Sequence, residues 1–184
     1  MKELFEEYPY LEDDVIIIRK LSTEDADSLK QLTLQDRVYR YLPTFLYELK
    51  YEDKQEVIEK LNEECFDNKE SIIMGVFLKK KPDELIGLAE IYSYKPWKNK
   101  ASIGYRLKEE YWGQGLATRI AALLKRYILE DVGLRTITGH VMKENIASAK
   151  VLMKNGFINK YPDNYEDWGF GQPVLVDKYV FKKV

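Results

Sequence analysis

The chain has 184 residues, 45% hydrophobic and 33% charged, with a formal net charge of −2, the balance of a globular protein long enough to bury a sizeable core. That charge gives no global support to nucleic-acid binding, and no apolar run approaches the roughly 20 residues a bilayer-spanning helix needs, so neither nucleic acid nor membrane is an expected partner. One cysteine, Cys65, and one histidine, His140, exclude an intramolecular disulfide and a His-rich zinc site, so no metal is expected.

The segment 1–14 is acidic and lacks an apolar signal core, which together with the single cysteine points to a reducing, cytoplasmic setting. Val15-Ile16-Ile17-Ile18-Arg19 is a β-branched run and predicts a first strand. Ser22 or Thr23 then caps a helix, with Glu24 and Asp25 in its first turn and Ala26, Leu29 and Leu32 at helical spacing. Across 36–52 no clean period survives, and Tyr39, Tyr41, Pro43, Phe45, Tyr47 and Tyr51 crowd the segment. A second helix is expected over 53–66, with Val57, Ile58, Leu61 and Cys65 on its apolar side; Cys65 there reads as a small buried hydrophobe.

The run 71–78 predicts a strand, 79–83 a solvated turn and 85–94 its antiparallel return. A turn containing Pro96, Trp97 and Asn99 leads to a third strand, 101–107, completing a meander. Next comes Tyr111-Trp112-Gly113-Gln114-Gly115-Leu116-Ala117-Thr118, opening a helix that continues to about residue 131. Two glycines one residue apart let the backbone turn tightly and approach a ligand closely. A glycine turn that hands into a helix leaves amides without intrahelical partners at the positive end of the helix dipole, an arrangement suited to phosphate. The helix buries Ile120, Leu123, Leu124, Tyr127 and Ile128, and Gly133 stands where a C′ glycine belongs. A strand over 136–142 follows, then a short helix over 145–155 capped by Asn145 and ended by Gly156. Ser148 sits one turn past the cap, near the same edge. Two last strands are expected over 157–161 and 174–184, joined by a Tyr/Trp/Gly-rich connection. No repeat, low-complexity tract or linker divides the chain, which reads as a single domain over 1–184.

Three stretches together resemble the GCN5-related N-acetyltransferase (GNAT) superfamily, and within it the ribosomal-protein N-terminal acetyltransferase branch. They are Ile103-Gly104-Tyr105-Arg106-Leu107, the glycine turn 111–118, and Asn145-x-x-Ser148 running to Gly156-Phe157. The element order agrees as well, so the resemblance spans nearly the whole chain. It implies an α/β (α+β) fold: a mixed, mostly antiparallel sheet of six to seven strands flanked by about four helices, with a splayed central strand pair. In the superfamily's phosphate-binding pattern Gly115 and Ala117 fit, whereas Trp112 stands at an Arg or Gln position.

The resemblance further implies an acyltransferase that moves an acetyl group from acetyl-CoA to a primary amine by direct attack. The pyrophosphate would lie on the amides of Gly113, Gln114, Gly115, Leu116, Ala117 and Thr118, beside Trp112, and the pantetheine along the exposed strand edge 105–107, with Arg106 and Leu107 as its contacts. Asn145 and Ser148 would complete the cofactor face, with a backbone amide near Leu107 polarising the thioester. Arg119, Lys150 and Lys154 are the cations in reach of a 3′-phosphate, each also readable as plain surface charge. Ser148 is the candidate donor to the leaving thiolate. Glu90, on the same face of its strand as Ile86, Leu88 and Tyr92, is the candidate base. His140 is assigned to structure. Tyr39, Tyr41 and Trp97, with Trp168, mark the expected acceptor pocket, and Glu48, Glu52, Asp163, Glu166 and Asp167 give the surrounding loops acidic character. The favoured acceptor is a protein N-terminal α-amine; a polyamine or aminoglycoside-like amine, or a non-catalytic acyl-CoA-binding module, are the alternatives. Oligomeric state stays open, a homodimer included.

Overall fold

The computed structural model describes residues 3–183. Eight strands form one sheet in the order β1-β2-β3-β4-β5-β6-β8-β7. They are β1 (Leu11–Glu12), β2 (Ile16–Arg19), β3 (Ser71–Leu78), β4 (Lys81–Lys95), β5 (Lys100–Leu107), β6 (Thr136–Met142), β7 (Ile158–Glu166) and β8 (Val174–Lys182). The helices are α1 (Ala26–Thr33), α2 (Asp36–Tyr39), α3 (Lys54–Lys60), α4 (Leu116–Glu130) and α5 (Ile146–Lys154). The sheet therefore has one strand more than the six to seven expected, the addition being the two-residue β1. The fifth helix is the single turn α2, inside the segment that showed no period. Strand β4 also begins at Lys81, inside the expected turn, because Leu78 pairs directly with Lys81. The last strand is seen to Lys182, and Val184 lies outside the described residues.

Strand β3 is apolar at nearly every position because both of its faces are covered. Ile72, Met74 and Val76 join Ile120, Leu124 and Ile128 of α4 in one core. Ile73 and Phe77 join Leu29 and Leu32 of α1 and Val57 and Ile58 of α3 in a second core on the opposite face. Burying each such side chain contributes about 1.5–3 kcal/mol, and the two layers fix the sheet between helices. The α1 entry is tied down separately: the Asp25 carboxylate accepts the Ser22 amide at 2.8 Å and both Arg19 guanidinium nitrogens at 3.0 and 3.2 Å.

The feature that positions a site is the β5–β6 pair. Among the described residues it is the one parallel pairing, and it runs only from Lys100 to Ser102 against Thr136 to Thr138. Beyond that rung each strand follows its other neighbour. β5 stays paired to β4 as far as Leu107 opposite Gly87, and β6 stays paired to β8 as far as Met142 opposite Val176. The sheet forks there. The Ser102 and Thr138 hydroxyls, both buried, hydrogen-bond at 2.7 Å at the closed end. Helix α5 closes on β6 because Gly139 carries no Cβ; one built there would lie 2.6 Å from Leu152 Cδ1.

Candidate active site

The fork opens into a cleft of about 1000 Å³ lined by β5, the glycine turn, β6, α5 and two loops, 37–46 and 166–168. The Lys108 amide donates to Ile86 O at 2.9 Å, so alternate amides of β5 face β4. The other set faces β6, and beyond the last β6 rung its members Tyr105 and Leu107 face the open fork. Leu107 O is taken by the Trp112 indole N–H at 2.8 Å, which ties the turn to the end of β5. That is what Trp112 does at the position where the superfamily pattern has Arg or Gln. The Arg37 guanidinium lies 5.5 Å from the Trp112 ring centre and also lines the cleft.

In the turn, Gly113 and Gly115 have φ of +71° and +76°, a backbone that L side chains resist. Gly115 is the N-cap of α4, and the first amide in the helical ladder is that of Arg119, to Gly115 O at 3.2 Å. The amides of Leu116, Ala117 and Thr118 are thereby left without intrahelical partners at the dipole's positive end. A Cβ on Gly113 or Gly115 would meet nothing within 4 Å, so the space over the turn is open for a bulky anion. The cradle fits a pyrophosphate, and the free edge of β5 fits a peptide-like arm. Lys150 and Lys154 line the cleft on α5, and among the described residues neither forms an ion pair. Arg119 is committed elsewhere, to Asp13 at 2.8 Å and Asp14 at 2.7 Å. Gln114 turns outward, its side chain donating to Glu110 O at 2.9 Å.

Asn145 Oδ1 accepts the Ser148 amide at 3.2 Å, fixing the first turn of α5 at the cleft wall. Ser148 Oγ lies 3.0 Å from the Tyr105 hydroxyl, so a residue pair absent from the sequence reading spans the fork. Burial holds the Tyr105 phenol well above its usual range, and it is therefore protonated at neutral pH.

Under the other loops lies a buried charge cluster. Arg106 donates to Glu90 at 2.9 Å and to Glu48 at 2.8 Å, and Tyr39 donates to Glu48 at 3.3 Å. Arg106, read from the sequence as part of the cofactor edge, thus has its guanidinium in this cluster and its amide toward β4. Glu48 is fully buried and Glu90 is 13% exposed at the cleft. Burial raises the Glu90 carboxyl above its ordinary value, against the pull of Arg106. A second carboxylate, Glu166, accepts from the Trp168 indole at 2.9 Å and pairs with His140 at 2.8 Å. Thr44 bonds Trp168 O through its amide at 2.9 Å and its hydroxyl at 3.2 Å, joining the two loops over this end of the cleft.

Of the three residues marked for the acceptor, Tyr41 lines the cleft, while Tyr39 sits behind it in the Glu48 cluster. Trp97 is 76% exposed in the turn before β5 and lies outside the cleft lining. The Tyr105–Ser148 contact and the Arg106–Glu48 pair are the functional candidates that sequence reasoning missed.

A forked sheet with a glycine turn at one mouth and a capped helix at the other offers a cleft that fits an acyl-CoA. The acetyltransferase (GNAT) domain family matches residues 16–158, and the chain belongs to that family. It is similar to the uncharacterized N-acetyltransferase YoaA of Bacillus subtilis (strain 168), 28% identical over 82% of this chain and 83% of that protein. Among solved structures it resembles RimL, the ribosomal L7/L12 α-N-protein acetyltransferase in complex with coenzyme A. Identity there is 17% and TM-score 0.78, over 95% of this chain and 98% of the other. A mutant of the spermidine N-acetyltransferase SpeG from Vibrio cholerae matches with 20% identity and TM-score 0.74, over 92% and 95% of the two chains. The protein is an acetyl-CoA-dependent acetyltransferase. No described helix is long and apolar enough to cross a membrane.

Proposed function

We propose that this protein acetylates a protein N-terminal α-amine. The observation that carries this reading is the state of the carboxylates at the acceptor end: Glu90 is held by Arg106 and Glu166 by His140 and Trp168. Neither carboxylate stands without a hydrogen-bond partner. A lysine-type amine with pKa ~10.4 is only about one part in a thousand free base at pH 7, whereas an α-amine near 8 is roughly a tenth free. A site whose carboxylates are already partnered suits the second, which needs less help in losing a proton. The likeness to RimL supports the same class.

In this reading the amine lone pair attacks the thioester carbonyl carbon, and the amides facing the fork at Tyr105 and Leu107 meet the oxyanion. The intermediate collapses with C–S cleavage, and Ser148 Oγ–H is the donor to the departing sulfur. Glu90, through water, takes the proton shed by the new amide nitrogen, its raised pKa making it a better acceptor than an ordinary glutamate. The unpaired amides of α4 with Lys150 and Lys154 hold the phosphates. Tyr41, Phe45 and Trp168 wall the acceptor end.

A second reading, acetylation of a polyamine, is favoured by the acidic groups Glu90, Glu166 and Asp167 in the cleft lining and by the likeness to SpeG. Thiol release measured against peptides with free and blocked α-amines and against polyamines separates the two. Turnover of free-amine peptides with the acetyl group located on the α-nitrogen supports the first reading. Turnover of polyamines alone overturns it.

A further inference from the structure

A side-chain contact crosses the fork beyond its last paired rung. Tyr105 of β5 and Ser148 of α5 stand hydroxyl to hydroxyl at 3.0 Å, and the Tyr105 hydroxyl is also 3.2 Å from Ser148 O. Both residues line the cleft. A phenol has a single proton, and here that proton has two acceptors on one residue. Given to the carbonyl, it leaves the Ser148 proton pointing back at the phenol oxygen. Given to Oγ, it occupies a serine lone pair and turns the Ser148 proton away from Tyr105. The Ser148 backbone has no comparable freedom, because its amide is bound by Asn145 Oδ1 at 3.2 Å. The hydroxyl rotor is what Tyr105 sets.

We propose that Tyr105 is a positioning residue for acetyl transfer, its hydroxyl donating to Ser148 Oγ so that the Ser148 proton is presented to the departing sulfur. This rests on the reading of Ser148 given above. As the C–S bond breaks, the sulfur takes the electron pair and accepts the Ser148 proton, and Ser148 regains a proton from water. Tyr105 keeps its own proton throughout, because burial disfavours the tyrosinate. Tyr105 is thus an orienting donor and not a member of a proton relay.

Tyr105→Phe keeps the ring and removes only the hydroxyl. Loss of one neutral hydrogen bond predicts a fall in kcat of about three- to ten-fold, with KM for acetyl-CoA and the CoA dissociation constant within about two-fold. On a Ser148→Ala background the same substitution is expected to add no further loss, because its target is gone. A full multiplicative loss on that background overturns the proposal, as does a loss confined to KM. Unchanged kcat in Tyr105→Phe, with Ser148→Ala slow, overturns it and leaves Ser148 standing. Unchanged kcat in Ser148→Ala removes the Ser148 reading itself. If Tyr105→Phe does not fold, para-fluorophenylalanine at 105 fills the place of the hydroxyl with no proton to donate. The same fall in kcat of about three- to ten-fold is then expected, and an unchanged kcat refutes the role.

Discussion

Gly115→Val is the sharpest test of the phosphate cradle. Gly115 has φ +76°, and an L residue held there costs roughly 1–2 kcal/mol of backbone strain, more for a β-branched one. A domain with about 5–15 kcal/mol of net stability survives that, with a Tm lower by several degrees, at about 2–4 °C per kcal/mol. Since a Cβ there meets no protein atom within 4 Å, the free chain carries no further steric penalty. The larger loss falls on the ligand. The valine side chain would stand in the open space over the amides of Leu116, Ala117 and Thr118. Losing two charge-assisted hydrogen bonds at about 1.5–3 kcal/mol each corresponds to a loss of affinity of at least 100-fold. Calorimetric titration with CoA, on protein checked for folding by its melt, measures it. Affinity within about three-fold of the parent, in a folded variant, would refute the assignment of the turn to phosphate.

Three further outcomes follow from the packing. Arg106→Met leaves Glu48 and Glu90 buried without their cation, so a loss of about 3–5 kcal/mol is expected in urea unfolding; a loss below about 1 kcal/mol would mean the cluster is better solvated than its burial indicates. Gly139→Ala puts a Cβ 2.6 Å from buried Leu152, so α5 must shift, costing about 1–3 kcal/mol and lowering kcat through Ser148; unchanged kcat would show that the fork tolerates the shift. Lys108 is fully buried, donating to Ser28 Oγ at 2.9 Å and Gln31 Oε1 at 3.2 Å, and burial lowers its pKa. The penalty for its charge is complete below the folded pKa and fades as pH rises through that value toward the unfolded ~10.4. The parent should therefore gain stability relative to Lys108→Met between pH 7 and pH 10, and a pH-independent difference contradicts the burial argument.

The parts of the fold carried by local chemistry were legible. The β-branched runs, the glycine turn and the Asn145 cap are written in neighbouring residues, and the structure places them where those residues indicate. The parts that depend on distant partners were not. Strand β1 is two residues long and has no period to read. The sequence predicts strand β7 only over 157–161; its continuation to Glu166 is mostly exposed, carries Pro162 and follows two irregularities in the pairing with β8, and so lacks the alternation that marks a strand. Arg106 meets Glu48 across 58 positions and Tyr105 meets Ser148 across 43, so neither pair leaves a local trace. Trp97 and Trp168 look alike in sequence as loop aromatics. Only the Thr44 and Glu166 contacts of Trp168 distinguish the one at the cleft from the exposed one.

The central claim is transfer of an acetyl group to an α-amine within the fork. It is tested most directly by incubating the protein with acetyl-CoA and a peptide bearing a free N-terminus and no lysine, with mass-spectrometric location of the product. The account predicts one acetyl group on the α-nitrogen per CoA thiol released, with a blocked N-terminus inert. Thiol release without peptide acetylation, or tight CoA binding with no turnover of any amine, would contradict it.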